Sequence, residues 1–275
     1  MMSGNSRVIF SVYQEVKDYS VTSYKKQQLK LHKEKLAKRQ YEYAKFCGAD
    51  YFVYETDEFH IDDYNSIQFM KIKQFEELAK DYDEVLYLDL DVVPLKFVNF
   101  FEENDLSKLC CRQQDCYKWG LERFFLRKND RYRHFDSLDS QNWWVKSCSK
   151  NAMLVLDNGS NFNNMLINTG VLGGNSDIIK QIKFTDNLER MISLLYEAKE
   201  DNPYPKEIGN FMNPNNEVFL SYLVEKEKIP ISHIGKKWNF ILDDTSSTIN
   251  LKKHDVNFIH IINKHFERYF NTFIF

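Results

Sequence analysis

Tyr82-Asp83-Glu84-Val85-Leu86-Tyr87-Leu88-Asp89-Leu90-Asp91-Val92-Val93-Pro94 is the stretch on which the fold turns. The apolar run from Val85 reads as a buried strand that ends in two carboxylates one residue apart. Packing gives no reason for such a pair, because buried like charges repel and lose hydration. A hard divalent cation resolves the conflict, since Mg²⁺ and Mn²⁺ favour carboxylate and water oxygens. Side chains alternate along extended chain, so the spacing predicts Asp89 and Asp91 on one side with Leu90 between them. An acidic surface turn is the plain alternative, and the hydrophobic run that leads into the pair argues against it.

Upstream, Val8–Tyr13 reads as a first strand and Tyr24 to Phe46 as a long helix, with Gly48 placed to end it. The lysines of this helix are spread over helical positions among Leu29, Leu31 and Leu36, which predicts a solvated face rather than a nucleic-acid patch. Tyr51–Glu55 is a second strand and Phe69 to Tyr82 a second helix. This alternation predicts an α/β fold with a mainly parallel sheet covered by helices. Ligands of such sheets bind beyond the carboxyl ends of the strands, where Asp89 and Asp91 lie.

Downstream, periodicity is lost from Arg112 to Asn151, a stretch rich in charge and aromatic residues. It reads as a lid or an acceptor-binding insertion. Regularity returns at Met153–Leu156 and at Met165–Leu172. A helix is predicted from Asn216 to Lys226 and a late strand over Asn257–Ile262.

A formal charge of −3 argues against a general nucleic-acid surface. With 9 Gly and 5 Pro in 275 residues, long flexible linkers are not expected, and one large domain accounts for the length. The N-terminal residues are polar with no secretory apolar core, and no apolar stretch is long enough to span a bilayer. Five cysteines, an odd number, suggest reduced thiols and a cytoplasmic setting. Cys110, Cys111 and Cys116 are clustered, but their spacing matches no zinc-binding CxxC pair. The aromatic C-terminal run from Phe266 to Phe275 reads as core packing, with contact to a membrane surface or a partner as the other use.

In this order, Phe69-Met70-Lys71-Ile72, the Asp89–Asp91 stretch, Asn168-Thr169-Gly170-Val171-Leu172, Asn216-Glu217 before an apolar helix, and His260 with Lys264 resemble a GT-A glycosyltransferase. The closest pattern is the group of glycogenin and bacterial lipopolysaccharide galactosyltransferases. The resemblance implies one glycosyltransferase domain. Residues 1–111 would form the nucleotide-binding half, 112–151 the insertion, and 152–275 the half for donor sugar and acceptor. It implies Asp89, Asp91 and His260 as metal ligands; imidazole suits Mn²⁺ better than Mg²⁺. It implies Lys71 and Lys264 as cations for the donor diphosphate, and Ser11 and Tyr13 at the nucleoside, with Leu90 among the cofactor-binding residues. Asn168 and Gly170 would contact the donor sugar, and Glu217 would flank the anomeric carbon or the acceptor hydroxyl. The donor implied is a nucleotide sugar, UDP-hexose first. The acceptor is a glycan or other hydroxyl, and retention is slightly favoured.

Each assignment has a structural counterpart. His260 can be a satisfied core histidine, the lysines solvated, and Glu217 a negative residue in a helix's first turn. Gly170 and Gly173-Gly174 can serve a strand-to-turn transition. A haloacid-dehalogenase-type phosphatase and a non-catalytic sugar-binding protein are the rival functions. The first would use Asp89 as nucleophile, with Asp243-Asp244 as its downstream acidic pair.

Overall fold

The computed structural model describes residues 6–13, 24–55, 64–115, 143–157, 163–201, 204, 206–242 and 254–270. The strands are β1 (Arg7–Tyr13), β2 (Asp50–Glu55), β3 (Glu84–Leu88), β4 (Val92–Pro94), β5 (Leu109–Asp115), β6 (Met165–Asn175), β7 (Ile231–His233), β8 (Phe240–Leu242) and β9 (Phe258–Ile261). Among the described residues the five long helices are α1 (Tyr24–Cys47), α2 (Tyr64–Leu78), α3 (Trp143–Leu156), α4 (Phe184–Glu200) and α5 (Asn216–Lys226). The chain divides into two compact units: residues 1–112, 169–180 and 231–275, and residues 113–168 with 181–230.

In the first unit the expected βαβαβ start is present. β1 pairs in parallel with both β2 and β3, with α1 and α2 as the connections. The six-stranded sheet has the order β2-β1-β3-β6-β5-β7, and β4, β9 and β8 form a second, three-stranded sheet. The alternation predicts a mainly parallel sheet; the sheet is mixed, because β6 runs antiparallel to β3. The regular crossover breaks after Leu88. The chain turns at once into β4, which joins the other sheet, so β6 is not delivered by the helical crossover that a parallel neighbour requires.

The glycines of β6 serve space rather than turning. The strand continues from Met165 to Asn175, and a Cβ on Gly173 would lie 2.5 Å from Phe100 Cε1, and one on Gly174 2.7 Å from Ile178 Cγ2. A true left-handed glycine sits where the sequence places it: Gly48, at φ 65°, ends α1.

The buried face of α1 is Leu36, Gln40, Tyr43, Ala44 and Cys47, spaced at helical intervals, while Lys25, Lys30, Lys35 and Lys38 are exposed. Phe266, Tyr269 and Phe270 pack with Tyr13, Leu36, Leu90 and Ile259 in one apolar cluster, so the described part of the C-terminal aromatic run is core. No described helix is long and apolar enough to cross a membrane.

In the second unit α3 packs against α4 and α5. Irregular chain is expected through residue 151, yet α3 starts at Trp143 and Met153–Leu156 is its last turn, not a separate element. Its buried residues explain the miss. Lys146, Ser147, Ser149, Lys150 and Asn151 are buried beside Val145, Ala152, Met153 and Leu154, so the inward face does not read as apolar. Lys150 is fully enclosed and lies against Asn163 O at 3.0 Å, Asn163 Oδ1 at 2.7 Å and Glu225 Oε2 at 3.3 Å. Trp119 and the other aromatics of 116–142 lie outside the described residues.

Candidate active site

The two aspartates are not on a strand. β3 stops at Leu88, and residues 89–91 form a turn closed by the Val92 N–H donating to Asp89 O at 2.8 Å. The turn, rather than strand alternation, brings both carboxylates to one place. Leu90 between them is 3% exposed and lies in the apolar cluster, so its side chain anchors the turn.

Long-range strand pairing supplies the third group. β4 continues from the turn and pairs antiparallel with β9, which sets Val92 opposite His260. The Ile261 N–H then donates to Asp91 O at 3.0 Å. His260 Nε2 lies 3.5 Å from Asp89 Oδ2 and 3.3 Å from Asp91 Oδ2. Ligand atoms of the three residues all fall within 4.8 Å of one another, and His260 and Asp91 are buried.

Two lysines close the group. Lys71, on α2, lies 3.1 Å from Asp89 Oδ1, and the Tyr87 hydroxyl donates to the same oxygen. The Lys264 ammonium donates to Asp91 Oδ2. Lys264 holds a φ of 60°, a conformation uncommon for a side-chain-bearing residue and found where surrounding contacts impose it. Burial would raise the Asp91 carboxyl; the charge of Lys264, its strongest opposing influence, helps hold that carboxyl well below the usual range.

The donor set fits a hard divalent cation. Adjacent ligands of an octahedral ion held at about 2.1 Å lie about 3 Å apart, close to the gaps between His260 Nε2 and the two carboxylate oxygens. The other ring nitrogen, Nδ1, is 3.2 Å from Asn239 Oδ1, an acceptor, so the neutral ring carries its proton there and turns the Nε2 lone pair towards the carboxylates. Asn239 is itself buried, and its backbone carbonyl accepts from Arg112 at 2.5 Å. Among the described residues no thiol joins this group. Burial pushes the Cys110 thiol up to about 12 and Cys111 up as well, which suits inert core thiols. Cys116 lies outside the described residues.

Ser11, expected at the nucleoside, is fully buried, and its hydroxyl lies 2.5 Å from Gln40 Oε1 and 2.6 Å from Leu88 O. It is committed to the interior. Tyr13, at the end of β1, is buried with the Lys33 ammonium 4.5 Å from its ring centre. The Gly170 carbonyl accepts the Asp89 N–H at 2.8 Å, which ties β6 to the turn. The Asp243-Asp244 pair that a phosphatase reading needs lies outside the described residues.

The second unit holds the other expected pair. Asn215 caps α5, its Oδ1 accepting from the Glu217 N–H at 2.9 Å. Glu217 turns inward from this first turn: its Oε2 takes the Lys146 ammonium at 2.6 Å and its Oε1 the Asn168 amide at 3.1 Å. Lys146 is 6% exposed. A buried cation on this carboxylate is not foreseen in the sequence, and neither are the partners Gln40, Tyr87 and Asn239 of the first unit. Only Gln40 leaves a trace there, as a polar residue inside the apolar face of a helix.

No protein-family model matches the chain, and a search of curated proteins finds no match. Solved structures give distant likenesses. A glycosyltransferase involved in glycosylation of the major capsid of PBCV-1 matches at 16% identity over 96% of this chain and 99% of its own, with TM-score 0.47. Mouse xyloside xylosyltransferase 1, in its apo form, matches at 10% identity over 93% and 97%, with TM-score 0.45. An active-site mutant of LgtC matches at 11% identity over 92% and 86%, with TM-score 0.44. Residue roles are not carried over from any of them.

Proposed function

We propose that this chain is a divalent-metal-dependent glycosyltransferase that moves a hexose from a nucleoside diphosphate, UDP first, to a glycan or other hydroxyl acceptor, with retention of anomeric configuration. The supporting observation is the convergence of Asp89, Asp91 and His260 beside Lys71 and Lys264. Two carboxylates and two ammonium groups are balanced as they stand. A divalent ion would leave the group with two net positive charges, which complements a diphosphate and little else of comparable size.

Asp89, Asp91 and His260 would hold the ion, and the imidazole favours Mn²⁺ over Mg²⁺. A bound ion supplies positive charge to the departing nucleoside diphosphate. Lys71 and Lys264, which flank the carboxylates, would offer their ammonium groups to the phosphates. Tyr13 would border the nucleoside, and Gly170 the donor. For Asn168 and Glu217 we propose contact with the donor sugar. There Glu217 would stabilise positive charge developing at the anomeric carbon, with Lys146 and Asn168 holding the carboxylate in place. The buried, unbridged thiols Cys47, Cys110 and Cys111 suit a reducing, cytoplasmic setting.

The test is a screen of nucleotide sugars for Mn²⁺-dependent binding and hydrolysis, with chelator as control. UDP-hexose turnover that disappears in excess chelator is the expected result. Full activity in chelator overturns the metal assignment, and phosphate release from simple phosphomonoesters would favour the phosphatase instead.

A further inference from the structure

We infer that Gln40 is the positioning residue of the cation site, acting on the main chain of the Asp89–Asp91 turn; this rests on the reading of Asp89, Asp91 and His260 given above. Gln40 projects from the middle of α1 and is fully buried, flanked on its helix face by Leu36, Tyr43 and Ala44. A polar side chain at such a position is retained only if its hydrogen bonds are met. Here all of them are. The amide Nε2 donates to Asp89 O at 3.0 Å and to Val92 O at 2.8 Å, the two ends of the turn. The amide Oε1 accepts from the Tyr51 hydroxyl at 3.0 Å and lies 2.5 Å from the Ser11 hydroxyl.

The orientation of the amide is fixed by this arrangement. Reversed, it would set Oε1 against two carbonyl oxygens and Nε2 against two groups that need an acceptor. The carbonyls of Asp89 and Val92 are thus held from one side by α1, and the single Ser11 hydroxyl proton lies between Gln40 Oε1 and Leu88 O. Ile261 holds the carbonyl of Asp91 from the other side. The turn is therefore clamped between α1 and β9, and the direction of both carboxylates follows from the clamp. An Ala, Leu or Met at this position would fill the helix face, remove the Gln40 donor from the buried Val92 carbonyl and leave Asp89 O with the Val92 N–H alone.

The experiment compares Gln40→Met, which keeps volume and loses every donor, with Gln40→Glu and with Tyr43→Phe. The last removes a buried hydroxyl on the same helix that bonds Val98 and Phe100 but not the turn. Two quantities are read besides melting temperature: affinity for Mn²⁺ alone, from the free-ion paramagnetic resonance signal, and hydrogen exchange of the Val92 and Ile261 amides. Gln40→Met should weaken Mn²⁺ binding by about tenfold or more, the usual effect of removing a group that orients a ligand, and should speed exchange at Val92. Gln40→Glu, whose burial keeps a proton on the carboxyl, retains one donor and should fall between Gln40→Met and wild type; it also serves if the Met variant does not fold. Tyr43→Phe should lower the melting temperature and leave both site readouts unchanged. Equal Mn²⁺ affinity and equal Val92 exchange in wild type and the Gln40 variants would overturn the inference. Faster Val92 exchange in a chain whose wild type binds no Mn²⁺ would instead overturn the metal reading and leave the clamp standing.

Discussion

Asp91 in the first unit and Glu217 in the second are both buried carboxylates beside a lysine, yet their surroundings differ in kind. Each oxygen of Glu217 has its own donor, Lys146 at 2.6 Å and Asn168 at 3.1 Å. The group is closed: nothing further is needed to pay for its burial. Around Asp91, three acceptor atoms from different residues meet. Asp89 Oδ2, Asp91 Oδ2 and the Nε2 lone pair of His260 converge, and Lys264 supplies the ammonium. The difference teaches that a lysine beside a buried acid does not by itself define a role. What matters is whether the remaining acceptors find hydrogens on the chain. Where they do, the carboxylate is held in place; where acceptors converge from separate residues, as at Asp89, Asp91 and His260, the group could hold a cation.

The largest effect should come from Asp91→Asn, which keeps the shape of the turn and removes the charge. Turnover should fall by about a thousandfold or more, because the ion's stabilisation of the leaving group is worth several kcal/mol, while circular dichroism stays that of the wild type. Mn²⁺-dependent activity persisting within a few-fold of wild type would erase the distinction between the two groups.

Lys146→Met comes next and acts on stability. It leaves the Glu217 charge buried without its cation, at a cost of about 3 kcal/mol in thermal or denaturant unfolding. Adding Glu217→Gln to the same chain should recover most of that loss, since the two residues form one coupled pair. A melting temperature unmoved by Lys146→Met would mean that Glu217 is not closed as described.

Glu217→Gln alone separates holding from chemistry. If the carboxylate faces developing positive charge, the catalytic rate should drop by about tenfold or more with donor KM little changed. Normal turnover with a lower melting temperature would leave Glu217 as a helix-start and core residue only.

The smallest effect calibrates an ordinary ion-paired acid in the second unit. Asp157 meets Arg190, Lys226 and the Tyr222 hydroxyl, the last at 2.6 Å. Burial would raise its carboxyl, but the hydrogen bonds and charges of Lys226, Tyr222 and Arg190 outweigh it and hold it below its ordinary 3.8. A depressed acid contributes stability above its unfolded value and loses it as pH falls through the folded one. The gap between wild type and Asp157→Asn should therefore be at most about 1 kcal/mol at neutral pH, and should shrink below about pH 4. A gap that grows on acidification would contradict the sign.

Much of this molecule was legible in one dimension because the determinants are local. The strand at Val8–Tyr13, the helix closed by Gly48, the helix from Asn216 to Lys226 and the strand before Asp89 follow from periodicity, a left-handed glycine and an N-cap, all acting within a few residues. The acidic pair was legible as chemistry, since charge at the end of an apolar run conflicts with burial wherever the chain goes; His260 entered only through the family resemblance. The tertiary structure alone decided the rest. Pairing of β4 with β9 brings His260 to Asp91 across 169 positions of chain, because which strands meet depends on both segments and on the fold between them. The antiparallel entry of β6 and the closed partners of Glu217 are of the same kind. So is the committed interior of Ser11 and Gln40: a polar side chain shows its type in the sequence, but what it bonds to depends on which distant carbonyls and hydroxyls the fold brings within reach.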